Sequence, residues 1–271
     1  MVDQVISCCD SLTMALAPEA GFDVLLTDPP YSDHVHSNAT SQSKGRGTRH
    51  RDLGFDSISQ QIRLALAGWA NKANRWSIIF SDVEGSHELI KAARETSVDV
   101  EYVRTLAWVR WSMPQLSGDR PPQGFEHVLL FHPRGKKRWN GPGNITHLSH
   151  LALRGEGKHR CEKPLDQALD LVSWFTDPCE KVFDPFAGSG TFGLACRLLG
   201  RSYVGFELDP AWAEKAANRL VSPLTRRDAI RVHRWIESVS EPVSAPTDGP
   251  SVIRAQRRRL DKLHVVEGLA Q

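Results

Sequence analysis

Hydrophobic residues along the chain follow two alternating patterns. Apolar runs of strand length lie at 4–8, 22–26, 75–82, 101–111, 125–133, at the start of 181–200 and within 201–210. Apolar side chains recur every three or four positions, as in helices, at 57–71, 86–95, 163–175, within 181–200 and at 211–221. Strands that alternate with helices predict a mostly parallel, doubly wound α/β sheet. The runs at 101–111 and 125–133 are candidates for an antiparallel pair.

Polar segments interrupt this pattern at three places. Ser32–Asp56 is polar and rich in glycine, which predicts a mobile loop. The 112–124 connection is rich in proline and glycine, and the 134–160 segment is basic and irregular.

The composition changes once more near the end of the chain. From about Ser222 it shifts to proline, serine and charged residues. We therefore predict one domain over 1–221 and a basic C-terminal appendage over 222–271. Within the appendage we expect a helix around 226–238 and poor order beyond it.

The overall composition excludes few classes of protein. The 271 residues are 40% hydrophobic and 24% charged, which is ordinary for a soluble globular protein. The formal net charge is only +2, but basic residues concentrate at 44–51, 104–163 and 254–262. The five cysteines lack metal-binding spacing, and no apolar run approaches transmembrane length. We expect reduced thiols, no metal site, no membrane contact and a cytoplasmic location.

A rigid corner follows the second predicted strand. The sequence TDPPY places Asp28, Pro29, Pro30 and Tyr31 directly after that strand. Proline cannot donate to a strand ladder, so the two prolines end the strand and stiffen the chain behind it. In open α/β sheets, ligands bind at the carboxyl ends of strands. The corner is therefore a candidate site that carries a carboxylate and displays an aromatic ring.

A glycine-rich turn joins a strand to a helix in FDPFAGSGTFG. Its glycines let the backbone approach a ligand, and the helix behind them presents free N–H groups. Gly188, Gly190 and Gly193 complete the GxGxxG spacing of a dinucleotide site, so NAD is one candidate.

Two acids near this turn favour a different ligand. Asp184 precedes the glycines, where its charge would repel a pyrophosphate and attract a cationic amine. Glu207 ends the next strand at the spacing of an acid that binds ribose hydroxyls. S-adenosylmethionine has a ribose, a cationic amine and no phosphate, and it satisfies both features.

At this point the chain resembles the amino-directed DNA methyltransferases. The motifs that carry the resemblance are DPPY at 28–31, DPFAGSGT at 184–191, GFELDP at 205–210 and EKPLDQALDLV at 162–172. The corner precedes the glycine turn, an order that resembles the permuted β-group of this family. The resemblance spans residues 4–220 and implies a circularly permuted, seven-stranded methyltransferase-type sheet with helices on both faces.

The resemblance implies that the corner binds the target base. Asp28 and the carbonyl of Pro29 or Pro30 would accept hydrogen bonds from the exocyclic amine of a flipped base, and Tyr31 would stack on that base. Such an amine is a poor nucleophile because its lone pair is delocalised into the ring. Two acceptors placed around the nitrogen would direct the lone pair at the methyl donor, and rigid prolines suit such a preorganised site.

The resemblance also implies a cofactor, S-adenosyl-L-methionine. Glu207 would hold its ribose, and Asp10 would meet its adenine, with Cys9 standing where the family usually has glycine. The other residues expected at the cofactor are Lys163, Asp184, Pro185, Phe186, Ala187, Gly188, Ser189, Gly190 and Thr191.

The identity of the substrate is less constrained. An aspartate at the first corner position resembles the adenine-N6 members more than the cytosine-N4 members, which commonly carry serine there. Adenine N6 is therefore the expected acceptor, and cytosine N4, an RNA base and a catalytically idle nucleic-acid-binding subunit are alternatives. A glutamine acceptor is disfavoured, because those relatives carry asparagine at this position and have the opposite motif order.

The expected partner is double-stranded DNA with the target base flipped out of the helix. The 32–56 loop and the 112–160 basic insert are the candidate recognition elements. Because the chain has little room for a recognition insert, we expect it either to read a short site, as a homodimer, or to borrow recognition from a partner. A cognate restriction endonuclease is a further candidate partner. We expect the protein to associate with the nucleoid.

Overall fold

The structure is a computed structural model. It describes residues 3–12, 21–33, 40–43, 46–50, 56–96, 99–110, 123–143, 145, 147–150 and 162–240. The strands in these ranges are β1 (Gln4–Cys8), β2 (Val24–Thr27), β3 (Thr40–Ser43), β4 (Arg46–His50), β5 (Ser77–Ser81), β6 (Val100–Val109), β7 (Phe125–Pro133), β8 (His147–Ser149), β9 (Lys181–Asp184) and β10 (Ser202–Glu207). The helices with described bounds are α1 (Gln60–Lys72), α2 (Val83–Thr96), α3 (Leu165–Phe175), α4 (Thr191–Leu198), α5 (Pro210–Val221) and α6 (Arg226–Ser240).

One large sheet organises the fold. Its eight strands lie in the order β1-β10-β9-β2-β5-β7-β6-β8. Within this sheet only β7 runs against the other strands, since it pairs antiparallel with β5 and β6 while the other pairs are parallel. The carboxyl ends of the parallel strands therefore meet at one side of the sheet, which we call the carboxyl edge. Phe125, at the start of β7, lies at the same edge.

The predicted doubly wound architecture is confirmed, with one more strand in the sheet than expected. β8 is only three residues long and borders β6, which raises the count from seven to eight. The antiparallel pairing of the 101–111 and 125–133 runs is also confirmed.

Helices cover both faces of the sheet because side chains of each strand point alternately to the two sides. Val24 and Leu26 pack into one hydrophobic cluster, to which α3, α4 and α6 contribute. Leu25, between them, packs into a second cluster with α1 and α2 on the opposite face. The central strands are buried on both sides, as expected for strands in a parallel sheet.

The predicted mobile loop at 32–56 contains regular structure. β3 and β4 pair as an antiparallel hairpin, so the loop prediction was wrong for 40–43 and 46–50. These strands consist mainly of polar residues and have no apolar alternation, which is why the hydrophobic pattern missed them. Residues 34–39, 44–45 and 51–55 lie outside the described ranges.

The predicted boundary at residue 222 does not separate two units. α6 begins at Arg226 and buries Val232 and Trp235, which are 4% and 2% exposed, in the same core cluster as α3. Asp228 on the same helix is 1% exposed and pairs with Arg219 of α5. The predicted helix at 226–238 is confirmed, but it packs into the core of the main domain instead of lying in an appendage. Residues 241–271 lie outside the described residues. In the described part of the chain, no helix has both the length and the apolar character needed to cross a bilayer.

Candidate functional site

The proline corner at 28–31 and the glycine turn at 184–191 meet at the point where the sheet changes its direction of winding. β9 and β2 are neighbours, and the chain leaves β9 through α4 toward β10 on one side, whereas β5 lies beside β2 on the other. A crevice at such a switch point is the usual ligand site of an open α/β sheet. Thr27 at the end of β2 donates a 2.7 Å hydrogen bond to Oδ1 of Asp184 at the end of β9. The proline corner and the glycine turn therefore begin side by side.

The corner is held by contacts on several sides. Pro29 is buried, and Asp28, Pro30 and Tyr31 are half-buried. The Tyr31 carbonyl accepts a 2.9 Å hydrogen bond from the Ile58 amide, which precedes α1. This contact ties the corner to the start of α1, and the corner presents the Asp28 carboxylate at the carboxyl edge.

The hydroxyl of Tyr31 is engaged by carboxylates. Its Oη lies 2.6 Å from Oε2 of Glu126 and 3.1 Å from Oδ1 of Asp28. The ring of Tyr31 packs against the core cluster that α3 helps to form. In this conformation the hydroxyl is a structural partner of the two acids.

Lys163, which was expected at the cofactor, lies beside the corner. Its ammonium Nζ is 2.5 Å from Oδ2 of Asp28 and 3.4 Å from Oε2 of Glu126. Lys163 directly precedes Pro164, the N-cap of α3, so the beginning of that helix positions it. The side chain is 6% exposed, and a buried lysine is stable only beside compensating charge.

Aromatic rings surround this ammonium. Lys163 Nζ lies 4.9 Å from the centre of the Phe80 ring, 5.4 Å from that of Tyr31 and 5.6 Å from that of Trp108. These distances are within the range of cation–π attraction. The sequence pattern did not predict this group of three rings, because they come from three separate elements: Phe80 from β5, Trp108 from β6 and Tyr31 from the corner.

Glu126 is a member of the site that the sequence analysis missed. It is the second residue of β7, and Arg110, which follows β6, contacts its Oε1 at 3.0 Å. The available signal was an acid inside an apolar strand, FEHVLLF, and such an acid is buried only with partners.

The two acids of the corner have opposite pKa shifts. Burial raises the pKa of Asp28, Lys163 opposes this rise, and Glu126 adds to it. Burial also acts to raise the pKa of Glu126, but the positive charges of Lys163 and Arg110 outweigh it and lower that pKa. Glu126 is thus firmly ionised, and Asp28 is the acid whose charge depends on its neighbours.

The glycine turn lies beside the carboxylate of Glu207. Gly188 and Gly190 adopt left-handed backbone angles, with φ of 52° and 72°, which side chains disfavour. The Gly188 amide donates a 2.7 Å hydrogen bond to Oε2 of Glu207, at the end of β10. A Cβ on Gly190 would lie 3.1 Å from the Cβ of Ala216 in α5. The turn therefore needs glycine for its backbone angles and for its close packing.

The predicted cofactor residues of the turn differ in accessibility. Phe186, Gly188 and Ser189 are half-buried and reach the carboxyl edge. The buried members of the motif are Pro185, Ala187, Gly190 and Thr191. The buried members shape the turn, and the half-buried ones are those that a ligand can touch.

Asp184 does not face the crevice, contrary to its expected contact with a cationic amine. The residue is 0% exposed. Its Oδ1 accepts hydrogen bonds from Thr27 Oγ1 and the Phe186 amide, at 2.7 and 3.1 Å, and its Oδ2 accepts one from Tyr203 Oη at 3.0 Å. Burial raises the pKa of Asp184 to about 7, against the smaller opposing effect of these hydrogen bonds. The buried Asp184 carboxylate stabilises the glycine turn through these hydrogen bonds. Because it does not face the ligand side of the turn, its charge is no argument against a pyrophosphate there.

Asp10 follows β1, which is the parallel neighbour of β10. Cys8 pairs with Glu207 in this register, and the Cys9 amide donates a 3.0 Å hydrogen bond to the Glu207 carbonyl. Oδ1 of Asp10 accepts a 2.9 Å hydrogen bond from the Leu12 amide. The structure therefore brings Asp10 to the same edge as Glu207, and Cys9 occupies its position without a positive φ.

An ion-pair network missed by the sequence analysis holds the glycine turn. Nη1 of Arg219 in α5 lies 3.1 Å from the Ser189 carbonyl, 3.1 Å from Thr191 Oγ1 and 3.0 Å from Oε1 of Glu162. Glu162 directly precedes Lys163. Two adjacent residues thus connect to the two halves of the site, Glu162 to the turn and Lys163 to the corner.

Part of the predicted basic recognition insert lies far from this site. β7 runs from the carboxyl edge to the opposite edge, where Arg134, Lys136, Lys137 and Arg138 follow it. Lys137 contacts Glu101, and Arg138 contacts Asp177 at 2.9 Å. Because β7 runs away from the carboxyl edge, the basic residues at 134–138 lie at the opposite edge from the corner and the glycine turn, which does not favour a role for them in recognition.

Other predicted recognition elements do start and end near the site. The corner leads directly into the 32–56 segment. The described residues on either side of 111–122, Arg110 and Gln123, lie at the carboxyl edge. β8 returns to that edge beside the end of β6. Residues 111–122 and 151–161 lie outside the described part of the chain.

Comparisons with known proteins agree with this architecture. A DNA methylase family model matches residues 22–218. Type II methyltransferase M.XycI of Xanthomonas campestris pv. cyanopsidis is 31% identical over 121 residues, which span 40% of this chain and 40% of that protein. Type II methyltransferase M.HpaI of Haemophilus parainfluenzae is 23% identical over 89% of this chain and 82% of its own length.

A solved structure has the same fold. The M1.HpyAVI–SAM complex is 24% identical, with a TM-score of 0.60, and the match covers 82% of this chain and 100% of that one. The alignment with M.XycI covers less than half of either protein, whereas the family model spans both motifs and most of the chain. The chain therefore belongs to the N6/N4 family of DNA methylases.

Proposed function

We propose that this protein transfers a methyl group from S-adenosyl-L-methionine to the exocyclic amine of a flipped DNA base, most specifically to N6 of adenine. The observation that carries the proposal is the junction of β9 and β2. There the Asp28 corner follows β2 and the glycine turn bordered by Glu207 follows the neighbouring β9, at the same edge of the sheet.

The residues of the glycine turn fit S-adenosylmethionine. Glu207 ends β10 with a half-buried carboxylate, which can accept hydrogen bonds from both ribose hydroxyls. Asp10 follows β1, the neighbour of β10, and would meet the adenine, while the half-buried Phe186, Gly188 and Ser189 of the turn would line the rest of the cofactor. The cofactor supplies an electrophilic methyl group on a sulfonium ion, which leaves as a neutral thioether.

The chain contributes positioning to this reaction. Asp28 accepts one hydrogen bond from the target amine, and the carbonyl of Pro29 or Pro30 accepts the second. With both N–H bonds fixed, the nitrogen lone pair points toward the cofactor. Correct placement of reactants is worth several kcal/mol of activation free energy, roughly 7–11 in the best cases. The nitrogen gives up one proton after the transfer, and the Asp28 carboxylate that accepts its N–H hydrogen bond can receive this proton.

Tyr31 grips the flipped base in this proposal. Its hydroxyl leaves Glu126 and Asp28 when the ring turns to stack on the base, and Lys163 remains to neutralise the two acids. Stacking of a base on an aromatic side chain is worth about 1–3 kcal/mol.

Adenine is preferred over cytosine because of Asp28. The family resemblance associates an aspartate at this position with adenine N6. The chemistry of the acceptor does not distinguish the two bases, because both present a similar exocyclic amine. Double-stranded DNA is the partner that we propose, read by the 32–56 segment and by the connection after β6. A homodimer that reads a short site follows from the small room for a recognition insert, and a cognate endonuclease is a further candidate partner.

The test is direct identification of the product. The protein is incubated with mixed-sequence duplex DNA and, separately, with structured RNA, both with isotopically labelled S-adenosylmethionine. The nucleic acids are then digested and the nucleosides separated by mass. We expect labelled N6-methyldeoxyadenosine from DNA. Labelled N4-methyldeoxycytidine would correct the base, label in RNA alone would correct the substrate, and absence of label with intact cofactor binding would indicate an idle subunit.

A further inference from the structure

Lys163 is the buried cation of the catalytic corner, and nothing in the reaction proposed above requires it to touch cofactor or base. Its ammonium lies between two carboxylates, 2.5 Å from Asp28 and 3.4 Å from Glu126. The side chains of Lys163, Glu126 and Asp28 are 6%, 12% and 16% exposed. Water therefore screens these charges poorly, and each depends on the others.

Among the residues that the structure describes, the charges of the corner balance only when Lys163 is included. Asp28 and Glu126 supply two negative charges, and Lys163 and Arg110 supply two positive ones. Arg110 contacts Glu126 on the side away from Asp28, through Oε1, whereas Lys163 contacts Oε2. Lys163 is thus the cation that compensates Asp28 directly.

The geometry also leaves one oxygen of Asp28 suitable for substrate. Lys163 binds Oδ2, and Oδ1 is held by the Tyr31 hydroxyl, 3.1 Å away. When Tyr31 turns to stack on a base, Oδ1 becomes available to accept the amine N–H, while Oδ2 remains fixed by the ammonium. The carboxylate then has one possible orientation.

We propose that Lys163 is a positioning residue for methyl transfer, whose ammonium keeps the Asp28 carboxylate ionised and oriented toward the target amine, while Glu126 holds that ammonium from its other side. This inference rests on the proposed function, because it assigns Asp28 as the acceptor of the target amine. It gives a catalytic purpose to a buried three-residue cluster drawn from the corner, from β7 and from the residue before Pro164.

Three described side chains contribute to the charge state of Asp28: Lys163 before α3, Glu126 on β7 and Tyr31 on the corner itself. Asp184 on the neighbouring β9 is a further buried acid on this side of the sheet, and the charge of Asp28 adds to the rise of its pKa. Burial raises the pKa of Asp28, Lys163 counters this, and Glu126 reinforces it. Removal of Lys163 or of Glu126 should therefore move the same pKa in opposite directions.

The experiment measures methyl-transfer rate against pH at saturating cofactor and DNA. Because only ionised Asp28 accepts the amine, the rate falls as the pH drops below its pKa. For Lys163→Met we expect this acid limb to move to higher pH by about 1–3 units, the usual effect of losing an opposite charge at this distance. For Glu126→Gln we expect it to move to lower pH. The double variant with both Lys163→Met and Glu126→Gln loses one charge of each sign. Its acid limb should lie between those of the two single variants.

Matched controls separate this role from a structural one. Lys163→Arg keeps the charge and should keep the wild-type limb, and Lys137→Met removes a lysine that pairs with Glu101 at the opposite edge. Affinity for S-adenosylmethionine should stay within about threefold of wild type in all variants, a difference under 0.7 kcal/mol. Thermal unfolding of each variant reports whether the fold is retained.

The outcomes separate the inference from the proposed function. If the wild type methylates neither DNA nor RNA, the proposed function fails. If the wild type is active and the limbs of Lys163→Met and Glu126→Gln superimpose on it, the inference alone is overturned. If Lys163→Met is too slow for a pH profile, Lys163→Arg and Glu126→Gln decide. The inference is supported if the acid limb of Lys163→Arg lies at the same pH as that of the wild type and the acid limb of Glu126→Gln lies at lower pH. It is overturned if the acid limb of Glu126→Gln does not move.

Discussion

The Gly188 amide donates a hydrogen bond to Oε2 of Glu207 across 2.7 Å. This contact joins the glycine turn after β9 to the end of β10, and Oε1 of Glu207 is fixed by the Asp209 amide at 3.0 Å. The carboxylate is therefore oriented by the backbone on both sides. In our account it is placed in advance for the ribose hydroxyls of the cofactor.

Replacement of this acid should weaken cofactor binding and leave the chemistry intact. For Glu207→Ala we expect the dissociation constant of S-adenosylmethionine to rise by roughly 10- to 100-fold, since hydrogen bonds to a charged group contribute about 1.5–3 kcal/mol. The rate at saturating cofactor should change little. Isothermal titration calorimetry measures the affinity, with Glu214→Ala on the exposed side of α5 as control. An unchanged dissociation constant would remove Glu207 from the cofactor site.

Replacement of the corner acid should have the opposite signature. Asp28→Asn keeps the shape of the side chain but weakens its acceptor strength toward the target amine. We expect the turnover number to fall by about 100- to 1,000-fold, the usual effect of losing one preorganised polar contact to a transition state. Cofactor affinity should remain near that of the wild type. Exposed Asp3→Asn is the control, and an equal loss of cofactor binding in Asp28→Asn would contradict the assignment.

Close packing behind the glycine turn leaves no room for a side chain at Gly193. A Cβ at this position in α4 would lie 2.7 Å from Cε1 of Tyr203, whose hydroxyl supports Asp184. Gly193→Ala should lower the free energy of unfolding by about 1–3 kcal/mol, as overpacking does. Gly68→Ala in α1 meets nothing within 4 Å and should stabilise the protein by about 0.5–1 kcal/mol. Denaturant unfolding compares the two helical glycines, and equal effects would show that the Tyr203 contact is relaxed.

The buried acid beneath the turn should make stability depend on pH. Folding raises the pKa of Asp184 from 3.8 to about 7, mainly through burial. The folded state thus holds this proton more tightly than the unfolded chain does. The stabilisation is complete below pH 3.8 and is lost as the pH rises through 7.

Asp184→Asn removes this titration and keeps an oxygen for Thr27 and the Phe186 amide. We expect the stability of the wild type relative to Asp184→Asn to fall by up to about 1.4 kcal/mol per pH unit between the two pKa values, and to level off above them. Urea unfolding at pH 5, 6, 7 and 8 gives this difference, in which the other titrating groups cancel. A difference that does not vary with pH would show that Asp184 is ionised throughout.

Helix α6 should behave as part of the core. The Trp235 side chain is 2% exposed, and its Nε1 donates a 2.8 Å hydrogen bond to Oδ1 of Asp170 in α3. Trp235→Ala should lower the free energy of unfolding by about 3–5 kcal/mol, as large-to-small core substitutions do. His233 on the same helix has a side chain that is 75% exposed, so His233→Ala should have little effect. Similar stabilities for the two variants would restore the appendage interpretation.

Local sequence pattern predicts those parts of the site that follow from the backbone. The apolar runs before Asp28, Asp184 and Glu207 predict parallel strands, and parallel strands end at one edge, so the three acids must lie near that edge. The prolines and glycines predict the corner and the turn because their backbone preferences are local. These predictions required no knowledge of tertiary contacts.

Side-chain partners at long range were not predictable in this way. Lys163 reaches Asp28 across 135 positions of sequence, and Tyr31 reaches Glu126 across 95. Periodicity places a residue on a face of its element, but it does not specify which charge of another element lies opposite. The burial of Asp184 similarly depends on hydroxyls from the two neighbouring strands, at Thr27 and Tyr203.

The central claim is that the corner at 28–31 and the turn at 184–191 form one active site. The most direct measurement is a crystal structure with S-adenosylmethionine and a short DNA duplex that the enzyme methylates. We predict that the cofactor ribose lies on Glu207, that an adenine leaves the duplex, and that its N6 atom lies between the Asp28 carboxylate and the cofactor methyl group. A cofactor bound away from the turn, or a target base held away from Asp28, would contradict the account.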